Sequence, residues 1–469
     1  MSDSRRKHWG WGSEDQQPTS QELRASAGAL GAHLGMVLGE VEEPLALESL
    51  QLAPPRIRAP ASLSDICADD VHARASHALG KSYGDIVCGF RGRFDHPPDL
   101  VLHPRDEMDL ERVLEWCSGE RVAAIPFGGG TSVVGGVTPQ VPSGYNGVVS
   151  VDLAALDRVL EVDPISRSAR IEAGALGPHL EAQLAQHGLT LRHFPQSFEL
   201  STLGGWIATR ASGHFATLWT HIEDLVESVR ALTPAGVWES RRLPGSGAGV
   251  SPDRMLAGSE GTLGVITQAW MRVQPRPTHR SSAGVRFASF HAGAESVLAI
   301  SQSNLNPSNC RLLDPGEALL TMAGDGSSAL LVLGFESSDH PVDEAMARAL
   351  QLCAEHGGVV AERKSADAGG DAVGSWRSAF LGAPYVRDTL VAMGVLAETF
   401  ETAITWERFP AFHERVIAAT EQAVREVCGE HGKVFCRFTH VYPDGPAPYF
   451  TVIAPARRGE EVEQWGAIK

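Results

Sequence analysis

"PFGGGTSVVGGV" occupies Pro126–Val137, and its reading decides the fold. It places five glycines in twelve residues, directly after the apolar run Val122-Ala123-Ala124-Ile125. Glycine inside a regular element costs roughly 0.5–1 kcal/mol against alanine, so a run this dense needs a purpose. A P-loop requires G-x-x-x-x-G-K-[ST], and the run contains no lysine. A Rossmann turn opens a helix, whereas Pro139, Pro142 and Gly144 break any helix here. A flexible loop is the plain alternative. Against it, Val133, Val134 and Val137 are interleaved with the glycines and are expected to be buried. What remains is a loop at the end of a strand whose peptide N–H groups face a diphosphate. Gly128, Gly129 and Gly130 would let the backbone approach and take positive φ, and Thr131 and Ser132 would add hydroxyl donors.

Around this run the chain alternates strands and helices from about residue 99 to 273. "DLVLHP", "VAAIPF", "GVVSVDL", "RVLEVDP" and "SARIEAGA" read as β segments; "DEMDLERVLEWCSGE" and "LGPHLEAQLAQHGL" read as amphipathic helices. "QPRPTHR" breaks the rhythm. Beyond it, helical stretches alternate with β segments in the manner of an antiparallel sheet covered by helices on one face. The expected division is a helical and extended lead-in over residues 1–93, a ligand domain over 94–276 and a second domain over 277–469. Two further small-residue stretches, "PQSFELSTLGGWIATRASG" at Pro195–Gly213 and "LAGSEGTLGVIT" at Leu256–Thr267, suit the walls of a large ligand carrying a diphosphate.

The totals exclude some classes. With 57 acidic against 40 basic residues the net charge is -17, which argues against a nucleic-acid binder. Seven scattered cysteines without a C-x-x-C pair suit a reducing compartment, so a cytoplasmic location is expected. No apolar stretch approaches the ~18 residues of a membrane span, and the N-terminus lacks the apolar segment of a signal peptide.

Taken in order, "PFGGGTSVVGG", "STLGGWIATRASG", "IEDLVESVRALTPAG" and "GSEGTLGVITQA" resemble the flavin domain of the vanillyl-alcohol-oxidase superfamily. With "KHWGWG" at Lys7–Gly12, "RLLD" at Arg311–Asp314, "YVRD" at Tyr385–Asp388 and "CRFTHVYPDGPAPYF" at Cys436–Phe450, the chain is most similar to the alkyldihydroxyacetonephosphate synthase family. The resemblance implies an α+β fold: a two-subdomain FAD-binding domain of the PCMH type, then a cap domain with an antiparallel sheet and covering helices. It assigns the FAD cradle to Pro126, Phe127, Gly128, Gly129, Gly130, Thr131 and Ser132. It assigns the remaining cofactor wall to Gln196, Ser197, Phe198, Glu199, Leu200, Ser201, Thr202, Thr209, Arg210, Ala211, Ser212, Glu260, Gly261, Thr262, Leu263, Gly264, Val265 and Ile266. Some superfamily members tether FAD through a histidine in the glycine loop. Thr131 follows the three glycines here, so FAD is expected to be non-covalent.

The family's reaction replaces the acyl group of acyl-dihydroxyacetone phosphate by a long-chain alcohol without net redox, the flavin N5 holding the substrate carbon. The resemblance makes Tyr449 the group that removes a C1 proton, Arg387 the ligand of the substrate phosphate and Arg311 a second active-site arginine. No metal is expected. A phosphate-bearing lipid and a fatty alcohol are the implied partners, with peripheral membrane contact and a homodimer as further expectations. By themselves these residues read more plainly: Tyr449 as packing at a strand, Arg387 as an ion pair with Asp388, "KHWGWG" as a hydrophobic anchor. The family pattern continues past Lys469 to a histidine-containing loop, so a truncated and inactive enzyme is also an expectation. The alternatives are an FAD-linked 2-hydroxy-acid dehydrogenase and a non-catalytic flavin-binding protein. The dehydrogenase carries G-H-x-G-D-G-N-x-H; Thr439–Tyr449 keeps His440, Asp444 and Gly445 but has Tyr449 where the second histidine would stand.

Overall fold

The computed structural model describes residues 5–16, 18–215, 217–218, 220–365 and 372–469. They form two compact units. The first comprises Met1–Gln17, Glu43–Ser212 and His221–Pro275; the second comprises Pro18–Glu42, Gly213–Thr220 and Arg276–Lys469. The residues ahead of 94 are therefore shared between the two units.

The first unit opens with a sheet of β1 (Cys67–Ala68), β2 (Leu100–Leu102), β3 (Val122–Phe127) and β4 (Gly147–Asp152), ordered β1-β2-β4-β3. The pairs β2–β4 and β3–β4 are parallel. A parallel pair needs a crossover, commonly a helix; the helix Glu107–Glu120 supplies the one from β2 to β3. Its Asp106 cap accepts the Asp109 N–H. Leu110, Val113 and Cys117, at helical spacing, pack on Leu100, Leu102, Val149 and Val151. Every residue of β4 is buried, as expected of a central parallel strand covered on both faces.

Next come β5 (Val159–Asp163), β6 (Ser168–Glu172), β7 (Leu189–Thr190), β8 (Val226–Thr233), β9 (Gly236–Glu239), β10 (Val265–Arg272) and β11 (Gln274–Pro275). β7 and β11 pair with each other, and the other five form an antiparallel sheet ordered β5-β6-β10-β8-β9. The two sheets are tied through Glu107 at the start of the crossover helix. It receives Arg230 Nη2 of β8 at 2.9 Å and the Thr267 hydroxyl of β10. "KHWGWG" is a packed element of this unit. An antiparallel bridge joins Arg6 to Ser13, and Trp9 lies edge-on to Phe90 at 5.2 Å. A Cβ at Gly89 would lie 2.9 Å from the Trp9 Cα, so only glycine admits this approach.

The second unit is built on seven strands: β12 (His279–Phe287), β13 (Asn309–Leu313), β14 (Ala329–Ser337), β15 (Val359–Ser365), β16 (Val395–Glu401), β17 (Lys433–Tyr442) and β18 (Gly445–Pro455). Their order is β15-β12-β14-β13-β17-β18-β16, with every pairing antiparallel. Side chains alternate between the faces along a strand. Val285, Cys310, Leu312, Leu331, Leu333, Cys436, Phe438 and Phe450 therefore share one apolar core. The helices Phe290–Gln302, Asp343–Glu355 and Phe409–Cys428 cover it. The expectation of helices on a single face needs correction. Leu313, Leu330 and Val332 point the other way and pack with Ala318 of the helix Pro315–Leu320 and Phe380 of the helix Ala372–Ala392. Strands buried on both faces need cover on both.

Candidate functional site

In the first unit the ends of β3 and β4 and the loops around Ser197–Thr209 and Glu260–Ile266 enclose a cavity of about 400 Å³. All seven residues of Pro126–Ser132 line it, as do Ser197, Ser201, Thr202, Thr209, Ala211, Glu260, Gly261, Gly264, Val265 and Ile266. Other residues of the expected wall make different contacts. The Leu200 carbonyl lies against Gly129 of the glycine loop, and Phe198 stacks on Trp206 at 6.2 Å. Arg210 pairs with Glu223 at 2.5 Å, Thr262 bonds the Ser259 carbonyl at 2.6 Å, and Ser212 bridges to His221. Gln196 and Glu199 flank these contacts in the same loop, and Leu263 is exposed. The wall also includes Gly204, Gly205, Trp206 and Ala208, from the Pro195–Gly213 stretch already singled out, and Leu153 and Ala173, for which the sequence carries no signal.

The three glycines act differently from one another. Among them only Gly130 has positive φ, at 66°, which corrects the expectation for Gly128 and Gly129. A side chain at Gly128 would overlap the Thr202 hydroxyl, and one at Gly129 would overlap the Leu200 carbonyl. These two therefore let the loop lie directly against the Ser197–Thr202 wall. Beyond Gly130, the Ser132 hydroxyl accepts the Gly136 N–H at 3.0 Å. This tight turn leaves Val133 and Val134 52 % and 75 % exposed, not buried as expected. With Val137 they line the cavity rather than the core. Behind the loop, Phe127 lies between the Arg6 guanidinium at 5.1 Å and the His77 ring at 4.3 Å. His77 bonds Asp152 at 3.1 Å.

These walls fit FAD. Exposed backbone and hydroxyls suit a diphosphate, and Leu153, Trp206, Val265 and Ile266 suit fused rings. Among the described residues that line the cavity there is no histidine, cysteine or tyrosine to form a covalent tether.

In the second unit, charge is concentrated on the sheet face opposite the apolar core. Arg311, Glu317 and Arg437 are buried there. Glu317, on the helix Pro315–Leu320, receives the Arg437 guanidinium in a buried ion pair. Asp314 caps the same helix and accepts the Cys436 N–H at 2.5 Å, while burial pushes its carboxyl up to about 7. Arg437 lies 3.8 Å from the centre of the Tyr449 ring, its register partner on β18. Tyr449 is in turn paired with Glu401 on β16, which accepts the Thr439 hydroxyl. Arg311 donates to the His214 carbonyl at 2.8 Å and lies 5.0 Å over Phe380. Burial and then the charge of Arg437 push Arg311 down to about 9. Arg387 stands half-buried on the helix of Phe380, seven residues farther along.

Arg311 and Tyr449 thus meet on one face through Arg437, and Arg387 is carried by the covering helix. Sequence reading missed Arg437, Glu317, Glu401 and His214. A signal existed for the first: Cys310-Arg311-Leu312 and Cys436-Arg437-Phe438 each place an arginine inside an apolar strand. Among the described residues no group of His, Cys, Asp or Glu is placed to hold a metal ion.

Two family models match the chain: an FAD binding domain over residues 98–240 and the C-terminal domain of FAD linked oxidases over residues 276–468. The alkyldihydroxyacetonephosphate synthase of Dictyostelium discoideum is 30 % identical over 86 % of this chain and 69 % of its own length. That of Trypanosoma brucei brucei is 30 % identical over 82 % of this chain and 65 % of its own. The chain thus spans about two thirds of these curated relatives. A solved alkyldihydroxyacetonephosphate synthase superposes with a TM-score of 0.84 at 27 % identity, covering 98 % of this chain and 93 % of that one. P-cresol methylhydroxylase, at 13 % identity and a TM-score of 0.67 over 96 % of this chain and 86 % of that one, shares the fold. The C-terminal family model matches through residue 468, and these comparisons do not bear out the expectation of a truncated C-terminus. The oxidoreductase likeness is more limited: the mitochondrial D-lactate dehydrogenase of Arabidopsis thaliana is 32 % identical over 46 % of this chain and 37 % of its own length. The glycine cradle, the two matched domains and the extent of these likenesses lead to one assignment: the chain belongs to the alkyldihydroxyacetonephosphate synthase family of FAD-linked enzymes.

Proposed function

We propose that the protein exchanges the acyl group of acyl-dihydroxyacetone phosphate for a long-chain alkoxy group, the step that creates an ether lipid. The observation that carries this reading is the buried polar face of the second unit, where Tyr449 and two arginines stand on adjacent strands. Bound FAD would supply an electrophilic nitrogen that holds the substrate carbon without net redox. Pro126–Ser132 hold its diphosphate, and the Ser197–Thr202, Thr209–Ser212 and Glu260–Ile266 segments hold the rest. Arg387 takes the substrate phosphate with its planar fork of donors. Arg311, fixed over Phe380, adds positive charge on the same face. Tyr449 takes the proton from C1 and returns it.

The substrates are lipids. Among the described residues no helix is long and apolar enough to cross a membrane, so contact with a membrane surface is the proposed route to them. A cytoplasmic location and a homodimer belong to the same proposal. The test supplies purified FAD-loaded protein with acyl-dihydroxyacetone phosphate and labelled hexadecanol. Fatty acid release matched by labelled ether product is expected. Reduction of an artificial acceptor by D-lactate, with no ether product, would identify the dehydrogenase instead. Bound flavin with neither activity would identify a non-catalytic flavoprotein.

A further inference from the structure

We infer that Arg437 is a positioning residue for Tyr449, braced for that task by Glu317. The inference rests on the proposed role of Tyr449. Antiparallel register places Arg437 on β17 directly across from Tyr449 on β18, and the guanidinium lies 3.8 Å from the ring centre. A cation held this close over an aromatic face restrains the ring, and with it the direction of the hydroxyl.

Arg437 is itself held from below. Its guanidinium pairs with Glu317, which is 1 % exposed on the Pro315–Leu320 helix. The preceding residue of β17, Cys436, gives its N–H to Asp314 at the cap of that helix. One short helix therefore grips β17 at consecutive residues, by backbone and by side chain. On the other flank, Glu401 of β16 is the register partner of Tyr449 and is engaged by the Thr439 hydroxyl. Stability alone gives little reason for such a brace. A buried ion pair is often matched or bettered by apolar residues of equal volume. The neighbouring strand face shows that this sheet can bury Leu313, Leu330 and Val332 without charge. Arginine is also the residue whose planar group can stack on a ring and meet a carboxylate together.

The test compares Arg437→Gln, Arg437→Lys and Tyr449→Phe in the full-length FAD-loaded protein. A catalytic group displaced by ~1 Å loses about a hundredfold in rate. Arg437→Gln should therefore lower kcat by about a hundredfold with KM nearly unchanged, and Arg437→Lys, which keeps charge without the planar stack, should fall between it and the wild type. A cooperative thermal melt followed by circular dichroism reports that the fold survives. Should Arg437→Gln fail to fold because Glu317 is left without its cation, the double variant Arg437→Gln/Glu317→Gln removes both charges and takes its place. A second readout needs no turnover. The chain has five tyrosines, so labelling their ring Cζ with carbon-13 gives five resonances, and the one lost in Tyr449→Phe should move in Arg437→Gln. A wild-type kcat in Arg437→Gln beside an inactive Tyr449→Phe overturns this inference alone. So does a raised KM at unchanged kcat, or an unmoved Tyr449 resonance. Normal turnover by Tyr449→Phe overturns the assignment of Tyr449 and this inference with it.

Discussion

The glycine cavity of the first unit and the polar sheet face of the second both place polar groups in buried surroundings, by opposite means. The cavity is shaped by missing side chains: a Cβ on Gly128 or Gly129 would overlap the facing wall. Its polar surface is mainly backbone and hydroxyl, with Glu260 as its one carboxylate among the described lining residues. The sheet face is shaped by long charged side chains, Arg311, Arg437 and Glu317, each buried and each needing a counterpart. A site of the first kind is sensitive to added volume. A site of the second kind is sensitive to the removal of one charge, because the partner is left buried and uncompensated. Defects in the first should appear in flavin content, and defects in the second in turnover with flavin retained.

The largest effect tests that separation at the proposed proton-transfer group, Tyr449. Tyr449→Phe keeps the ring and loses the hydroxyl. Turnover should fall by about 10²–10⁴-fold, the usual worth of a positioned proton-transfer group, while flavin absorbance stays at the wild-type level. Loss of flavin in this variant would break the comparison. Gly129→Val is the converse: its side chain must displace the Leu200 carbonyl, so the purified protein should be almost colourless while its circular dichroism stays near that of the wild type. Full occupancy of Gly129→Val by FAD would remove the loop from the cradle. Acid precipitation of the wild-type protein bears on the same cavity, and the flavin should remain in the supernatant.

Arg387→Ala should act more moderately. A charge-assisted contact is worth roughly 1.5–3 kcal/mol, so substrate binding should weaken by about tenfold or more. A titration of the flavin spectrum with substrate would measure it, and unchanged affinity would count against the phosphate role. The last effect bears on stability and not on the site, and concerns Asp314. Its carboxyl titrates near 7 when folded, against about 3.9 for an unfolded aspartate. Between these values the folded chain holds the extra proton, so stability falls as pH rises from about 4 to 7. Asp314→Asn can still cap the helix. Its Tm curve should be flatter than the wild type's across this window, and parallel curves would show that Asp314 does not carry the effect.

Much of the cavity was legible because close backbone approach demands glycine and small hydroxyl residues, and these leave a dense mark at fixed places such as Pro126–Ser132 and Glu260–Gly264. The strand and helix spans were legible for a similar reason: hydrophobic period reports which face is buried. The pairing of β17 with β18 set Arg437 over Tyr449, a contact that depends on register. Register also brought Glu401 to Tyr449, though 48 residues separate them in the chain.

The sequence by itself determined the glycine loop after β3, the alternating α+β rhythm, the antiparallel second unit and the family. Each is written in local spacing, because φ restrictions and amphipathic period act over a few residues. Only the tertiary structure decided which glycine takes positive φ, that the loop valines face the cavity, that the second sheet is covered on both sides and that Glu317 braces Arg437. These depend on which distant segments meet, and a buried charge reveals its purpose only when its partner is in place.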